Sequence, residues 1–225
     1  MSAELKLIQG MIDRLSKKAN GAAVETAKRA AGIHDGLFGI RESITKRAAD
    51  EQRNADWLKE NVNKAFGAKF AEIARLRHQN DQARKNHAAS KPKLPEFDRS
   101  DVFAAMQTME LAKRVAATTD PTKRANLSPS ERLAALRMPE IAGISPTQAE
   151  VWENEILGKI EPAKIKAYTE SAEALAEADR AIDLVRLAFQ REAGFIDRDT
   201  GFPSPLWRNF EREQMSSLQS EFEGA

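Results

Sequence analysis

From Ile40 to Ala88 the chain runs for almost fifty residues without a proline. Apolar side chains fall at Leu37, Ile40, Ile44, Ala48, Ala55, Leu58, Val62, Ala65, Phe66, Phe70, Ile73 and Leu76, with polar and charged residues between them. A spacing near 3.6 marks one face of an amphipathic α-helix. Unbroken, such a helix would span about 70 Å. A compact fold of this length has a radius of gyration of about 17 Å and a diameter near 45 Å. Three outcomes satisfy that mismatch: a kink at Gly67, the one helix-weakening residue in the middle of the stretch, an elongated molecule, or a partner that covers the overhang. The stretch predicts an all-α fold, an elongated helical bundle with long amphipathic helices and no sheet.

The rest of the composition agrees with helix. Charged residues make up 31% and aromatics 6%, and there is one tyrosine. The absence of cysteine excludes disulfides, thiol catalysis and Cys-ligated zinc or iron–sulfur sites. The opening Met-Ser-Ala-Glu-Leu lacks a secretory pattern, Ser2 does not fit N-myristoylation, and no run approaches the 18 or so apolar residues of a membrane span. The expected compartment is the cytoplasm, or a particle assembled there, with a membrane role disfavoured.

Charge is distributed unevenly. Residues 1–93 carry 19 Lys+Arg and 11 Asp+Glu, and residues 94–139 carry 7 and 6. Residues 140–192 carry 6 and 11, and residues 193–225 carry 3 and 6. A basic front and an acidic back either face each other within one chain or join copies head to tail.

Punctuation suggests four regions. The first, 1–89, is a basic helical hairpin, with Leu5, Ile8, Ile12 and Leu15 on a helix–helix seam and a turn at Gly32–Gly39 before the long helix. Gly10, Gly21 and Gly32 recur every 11 residues, and Ser43, Asn54 and Ala65 would extend the column. The segment faintly resembles the 11-residue amphipathic repeats of lipid-surface proteins but lacks their regular lysines, and chance spacing accounts for it best. The second region, 90–100, is a linker stiffened by Pro92 and Pro95. The third, 101–194, is a helical bundle, acidic in its second half. Ser100 or Asp98 caps its first helix, whose apolar side is Val102, Phe103, Met106 and Met109. Such a methionine-bearing side is expected to be core, with an adaptable binding surface as the alternative. Ser128-Pro129-Ser130-Glu131 and Ser145-Pro146-Thr147-Gln148 each start a helix, with an N-cap serine, proline at N1 and Glu or Gln at N3. A second long helix follows from Glu161-Pro162 to about Ala193. Its heptad track holds Ile165, Tyr168, Ala172, Leu175, Ile182 and Phe189, with Asp179 and Arg186 as polar members. The fourth region, 195–225, is an aromatic-rich turn and a terminal helix.

Several segments suggest contact chemistry. Arg75, Arg77, Arg84, Lys85, Lys91 and Lys93 make the end of the long helix basic. That suits the helix macrodipole, or an anionic partner such as a nucleic-acid backbone. No aromatic lies between Ala71 and Glu96, so base stacking has no support there. In the tail, Phe202, Trp207 and Phe210 either fold back onto the core or anchor a protein partner. The turn Ala142-Gly143-Ile144-Ser145 resembles that of a helix-turn-helix DNA reader. Pro139 precedes it, however, and Glu150, Glu153 and Glu155 follow, which suits a helical corner better. Asp197-Arg198-Asp199-Thr200-Gly201 hints at a calcium loop, but Arg208 stands where its bidentate acid belongs, and a plain turn is expected.

No constellation of catalysis is present. None of His34, His78 and His87 has a glutamate three residues before it, as di-metal bundles require, and no P-loop, dinucleotide fingerprint or nucleophile elbow occurs. The chain is therefore expected to be a non-enzymatic structural or interaction protein without cofactor. It would serve as a scaffold, an adaptor or a component of a larger, virion-type assembly, with other protein subunits or its own copies as partners. A nucleic-acid-associated factor using residues 75–93 is the alternative, and a membrane-surface amphipathic protein is the next.

Overall fold

A computed structural model of the chain describes residues 2–18, 20–95, 97–98, 100–196 and 201–224. Among these the fold is all-α. Its eleven helices are α1 (Ala3–Leu15), α2 (Gly21–Asp35), α3 (Ile40–Asp50), α4 (Ala55–Ala89), α5 (Val102–Ala117), α6 (Pro121–Ala125), α7 (Pro129–Arg137), α8 (Pro139–Ala142), α9 (Pro146–Ile160), α10 (Pro162–Glu192) and α11 (Pro205–Glu223). The one extended feature is an isolated antiparallel bridge between Ile196 and Pro203.

The long stretch is two helices, not one, and the break is at residues 51–54 rather than at Gly67. Asp50 to Asn54 are five consecutive polar residues, so the apolar face lapses between Ala48 and Ala55. Gln52 adopts a left-handed conformation, φ 52°. The amide of Arg53 then returns to the carbonyl of Ala48 at 2.8 Å, which satisfies a helix-end acceptor. Asn54 accepts from the amide of Trp57 and starts α4. Glu51 receives hydrogen bonds from Arg47 and Arg53, and both guanidiniums lie over the Trp57 ring. This polar box folds α3 back against α4. Gly67 stays helical within α4. A Cβ there would lie 3.2 Å from Oε1 of Gln214, so the glycine admits α11 where it packs on α4.

The chain forms two compact units: residues 1–89 with 170–225, and residues 90–169. The segment 170–194 thus belongs with the N-terminal helices and not with the 101–194 region expected from punctuation, and α10 begins in the second unit and ends in the first. Pairing between distant segments has no local signal, which is why the linker prolines could not reveal it.

In the first unit, α1, α2, α4, α10 and α11 share one core. Ile8, Ile12 and Leu15 face Ala23, Ala27, Ala30 and Ile33, then Phe66, Phe70, Ile73 and Leu76. The buried face of α10 runs through Leu175, Ala178, Ile182, Val185 and Phe189 at three- and four-residue steps. The two polar members of its heptad track are both partnered. Asp179 accepts from the Asn80 amide at 2.6 Å and pairs with Arg84. Arg186 lies over the Trp207 ring and donates to Glu211. Leu37 is buried, while Phe38 lies half-exposed against the ring of His34. His34 is itself buried and bonded to the Ser2 hydroxyl at 3.1 Å, which ties the start of α1 to the end of α2. Gly10, Gly21, Gly32, Ser43 and Asn54 fall on three helices and a loop, so the 11-residue spacing builds no common column.

The second unit has a small core: Ala112, Val115, Leu127, Ala135, Ala142 and Trp152. Its helix starts are well made. Ser128 and Glu131 form a reciprocal capping box, and Ser145 caps α9. Asp101, rather than Ser100 or Asp98, caps α5, by accepting from the Ala104 amide. Gly143 ends α8 in the left-handed conformation, and α9 continues from the corner with Trp152 in the core.

Candidate interaction surface

The basic residues singled out by sequence are divided between the units, Arg75, Arg77, Arg84 and Lys85 in the first and Lys91 and Lys93 in the second. Four of the six hold acids of their own chain. Arg75 makes a two-pronged contact with Glu221 at 2.7 and 3.0 Å, which holds the Glu221 carboxyl below its usual range. Arg77 pairs with Asp183, Arg84 with Asp179 and Lys91 with Glu153. Lys85 and Lys93 are exposed.

The same logic extends across the first unit. Arg14 and Lys18 of the N-terminal region hold Glu177 and Glu173 of α10, and Arg191 holds Glu4 at 2.6 Å. Residues 1–89 carry 17 Lys+Arg and 11 Asp+Glu, and residues 170–225 carry 6 and 12, so this unit combines +6 with −6. The basic front and acidic back therefore meet within one chain. Exposed pairs of this kind stabilise little.

Two of the three tail aromatics pack into the core cluster or against it. Trp207 is 4% exposed. With Phe210 it joins a ring cluster that includes Phe70, Phe189 and Phe195, at centroid distances of 4.9 to 6.4 Å. Trp207 is buried there, and Phe210 is partly buried against it. The expectation of an anchor is met in exposure only by Phe202, 72% exposed. Asp197, Arg198, Asp199 and Thr200 of the calcium-loop reading lie outside the described residues.

The most exposed apolar face lies where core was expected. Helix α5 buries Thr108, Ala112 and Val115, spaced by four and three. Its other side leaves Val102 69%, Phe103 72% and Met106 57% exposed. Phe103 and Met106, with Gln107, Glu110, Leu111 and Arg114, line a shallow, largely apolar groove of about 430 Å³. The side of α5 that reaches the small core carries Ala112 and Val115, beside Ala135 and Ala142. Of the apolar side expected to be core, Val102, Phe103 and Met106 are exposed and Met109 is half-buried.

Among the described residues no helix is long and apolar enough to cross a membrane, and no group of three or more His, Asp or Glu is placed to hold a metal ion. No protein-family model, curated protein or solved structure matches the chain.

Proposed function

We propose that this chain is a non-enzymatic helical interaction protein, a scaffold, adaptor or subunit of a larger assembly in the cytoplasm or in a particle assembled there. Its first unit serves as the frame, and its second unit bears the contact face. One observation carries this reading: α5 holds Val102, Phe103 and Met106 in solvent. Apolar side chains exposed singly are ordinary, but a contiguous apolar face with a polar rim is characteristic of protein contact sites. Phenylalanine and methionine are also enriched in the centres of such interfaces. The nucleic-acid alternative has less support, because Arg75, Arg77, Arg84 and Lys91 already engage carboxylates.

A photo-crosslinking residue placed at Phe103, compared with one at the exposed Lys113 on another side of α5, tests the reading. The expected result is adduct formation with a discrete protein species, or with a second copy of the chain, from position 103 and not from 113. Light scattering then gives a mass above 25.0 kDa that returns to the monomer value in Phe103→Asp/Met106→Asp. A monomer at all salt concentrations, with no adduct specific to position 103, would overturn it.

A further inference from the structure

Arg137 closes α7 with its guanidinium over the ring of Phe97, 4.8 Å from the centroid. Its Nε is buried without a partner. Arg124 and Arg132 in the same unit also bury an unpartnered Nε, but both commit their terminal nitrogens. Arg124 donates to the carbonyl of Gly143, and Arg132 donates to the carbonyl of Ala125 and pairs with Glu155. Arg137 makes no hydrogen bond or ion pair among the described residues. Its terminal nitrogens are not buried, so unlike those of Arg124 and Arg132 they are uncommitted and open to a ligand.

Arg137 also lines a hollow of about 570 Å³, walled by Phe97, Ala105, Met138, Pro139 and Ile141, with Glu140 as the one acid among the described lining residues. That volume lies within the range of small-ligand sites, which are mostly apolar with few polar groups. A guanidinium over an aromatic ring can offer its two terminal nitrogens for parallel N–H···O bonds, the geometry a carboxylate accepts. Glu140 is exposed and lies three residues from Arg137. Its charge disfavours a second negative charge in the hollow, and so selects a monoanion over a phosphate dianion.

We propose that this hollow binds a carboxylate carried on a short apolar body. The carboxylate pairs in plane with Arg137, and the body packs against Phe97, Met138, Pro139 and Ile141. The site is independent of the exposed α5 face, and it stands whether or not that face has a partner. The carboxylate has two possible sources, a free organic acid or the C-terminus of a peptide.

The test is a titration of the full chain with 3-phenylpropanoate and with its amide, 3-phenylpropanamide, followed through the side-chain Nε–H resonances of the arginines. A saturable shift of the Arg137 resonance is expected, with a Kd on the order of 1 mM, the strength usual for a ligand of that size. The amide should bind at least about tenfold more weakly, Arg137→Met should abolish binding, and Glu140→Gln should strengthen it. N-acetyl-Leu-Phe with a free C-terminus, compared with 3-phenylpropanoate, separates the sources: tighter binding of the dipeptide identifies a chain end, and equal or weaker binding identifies a free acid. Equal affinity for acid and amide, unchanged binding by Arg137→Met, or no saturable shift at about ten times the expected Kd would each overturn the proposal. The acid–amide comparison uses the unaltered protein and does not depend on the folding of a variant.

Discussion

The side-chain amide of Asn80, 1% exposed, donates to Asp179 at 2.6 Å and to the carbonyl of Leu175 at 3.3 Å. One buried residue of α4 thereby grips two successive turns of α10. A hydrophobic contact tolerates sliding, whereas this grip is satisfied in a single register. Asn80→Ala strands Asp179 beside Arg84 alone and opens space in the seam. The expected loss is about 1–3 kcal/mol of unfolding free energy, measured by urea denaturation. An unchanged midpoint would show that the apolar contacts suffice to set the register.

Arg77 and Asp183 face each other from the same two helices. Arg77→Glu and Asp183→Arg should each destabilise by about 1 kcal/mol, and the double variant should recover most of the loss. The coupling expected for an exposed pair is about 0.2–1 kcal/mol. It should shrink in molar salt, where screening is strong. A double variant as unstable as the sum of the singles would show that the charges do not help to select the pairing.

Glu4 is held below the ordinary carboxyl value of 4.5 by its own backbone amide in the first turn of α1, and then by Arg191. Glu131 is lowered by the Ser128 hydroxyl, and Glu51 by Arg47 and then Arg53. A carboxyl depressed on folding contributes in full above its unfolded value, and that contribution is lost as pH falls through the folded value. Stability should therefore be flat from about pH 7 to 5 and decline below about 4.5. Glu4→Gln should be less stable at neutral pH and decline less steeply in acid. Parallel pH curves for the two proteins would refute the assignment.

Gln52 is the one residue other than glycine with positive φ among the described residues. A left-handed conformation costs a side chain roughly 1 kcal/mol that glycine avoids. Gln52→Gly should therefore stabilise the protein by about 0.5–1 kcal/mol, read as a raised melting temperature, while Gln52→Pro should destabilise it. A destabilised Gln52→Gly would mean that the α3–α4 corner depends on more than its backbone.

What sequence reasoning could reach was local. Ser128, Glu131 and Ser145 were legible because a cap and its partner sit three residues apart. The all-helical class was legible because helical periodicity recurs along most of the chain. The break at residues 51–54 left a signal that length arguments overrode: the lapse of the apolar face between Ala48 and Ala55 was a better guide than Gly67, whose role concerns the neighbouring Gln214. Burial of Trp207 and exposure of Phe103 could not be read, because both depend on the size of the residues opposite. The Arg137 hollow gathers residues 97, 105 and 137–141, and nothing in their spacing announces that they meet.

The first unit is discontinuous, with 80 residues of the second placed between its two parts. A ribosome adds roughly 5–20 residues per second, so Ser90–Thr169 takes roughly 4–16 s to synthesise. Throughout that interval Ile8, Phe66, Phe70 and Ile73 exist without α10, the helix that covers them in the finished molecule. The second unit draws on a contiguous stretch and can condense as it emerges, while the earlier-made helices wait. The nascent chain thus carries an open apolar trough for seconds, a substrate for chaperones at a stage when the second unit can already be complete.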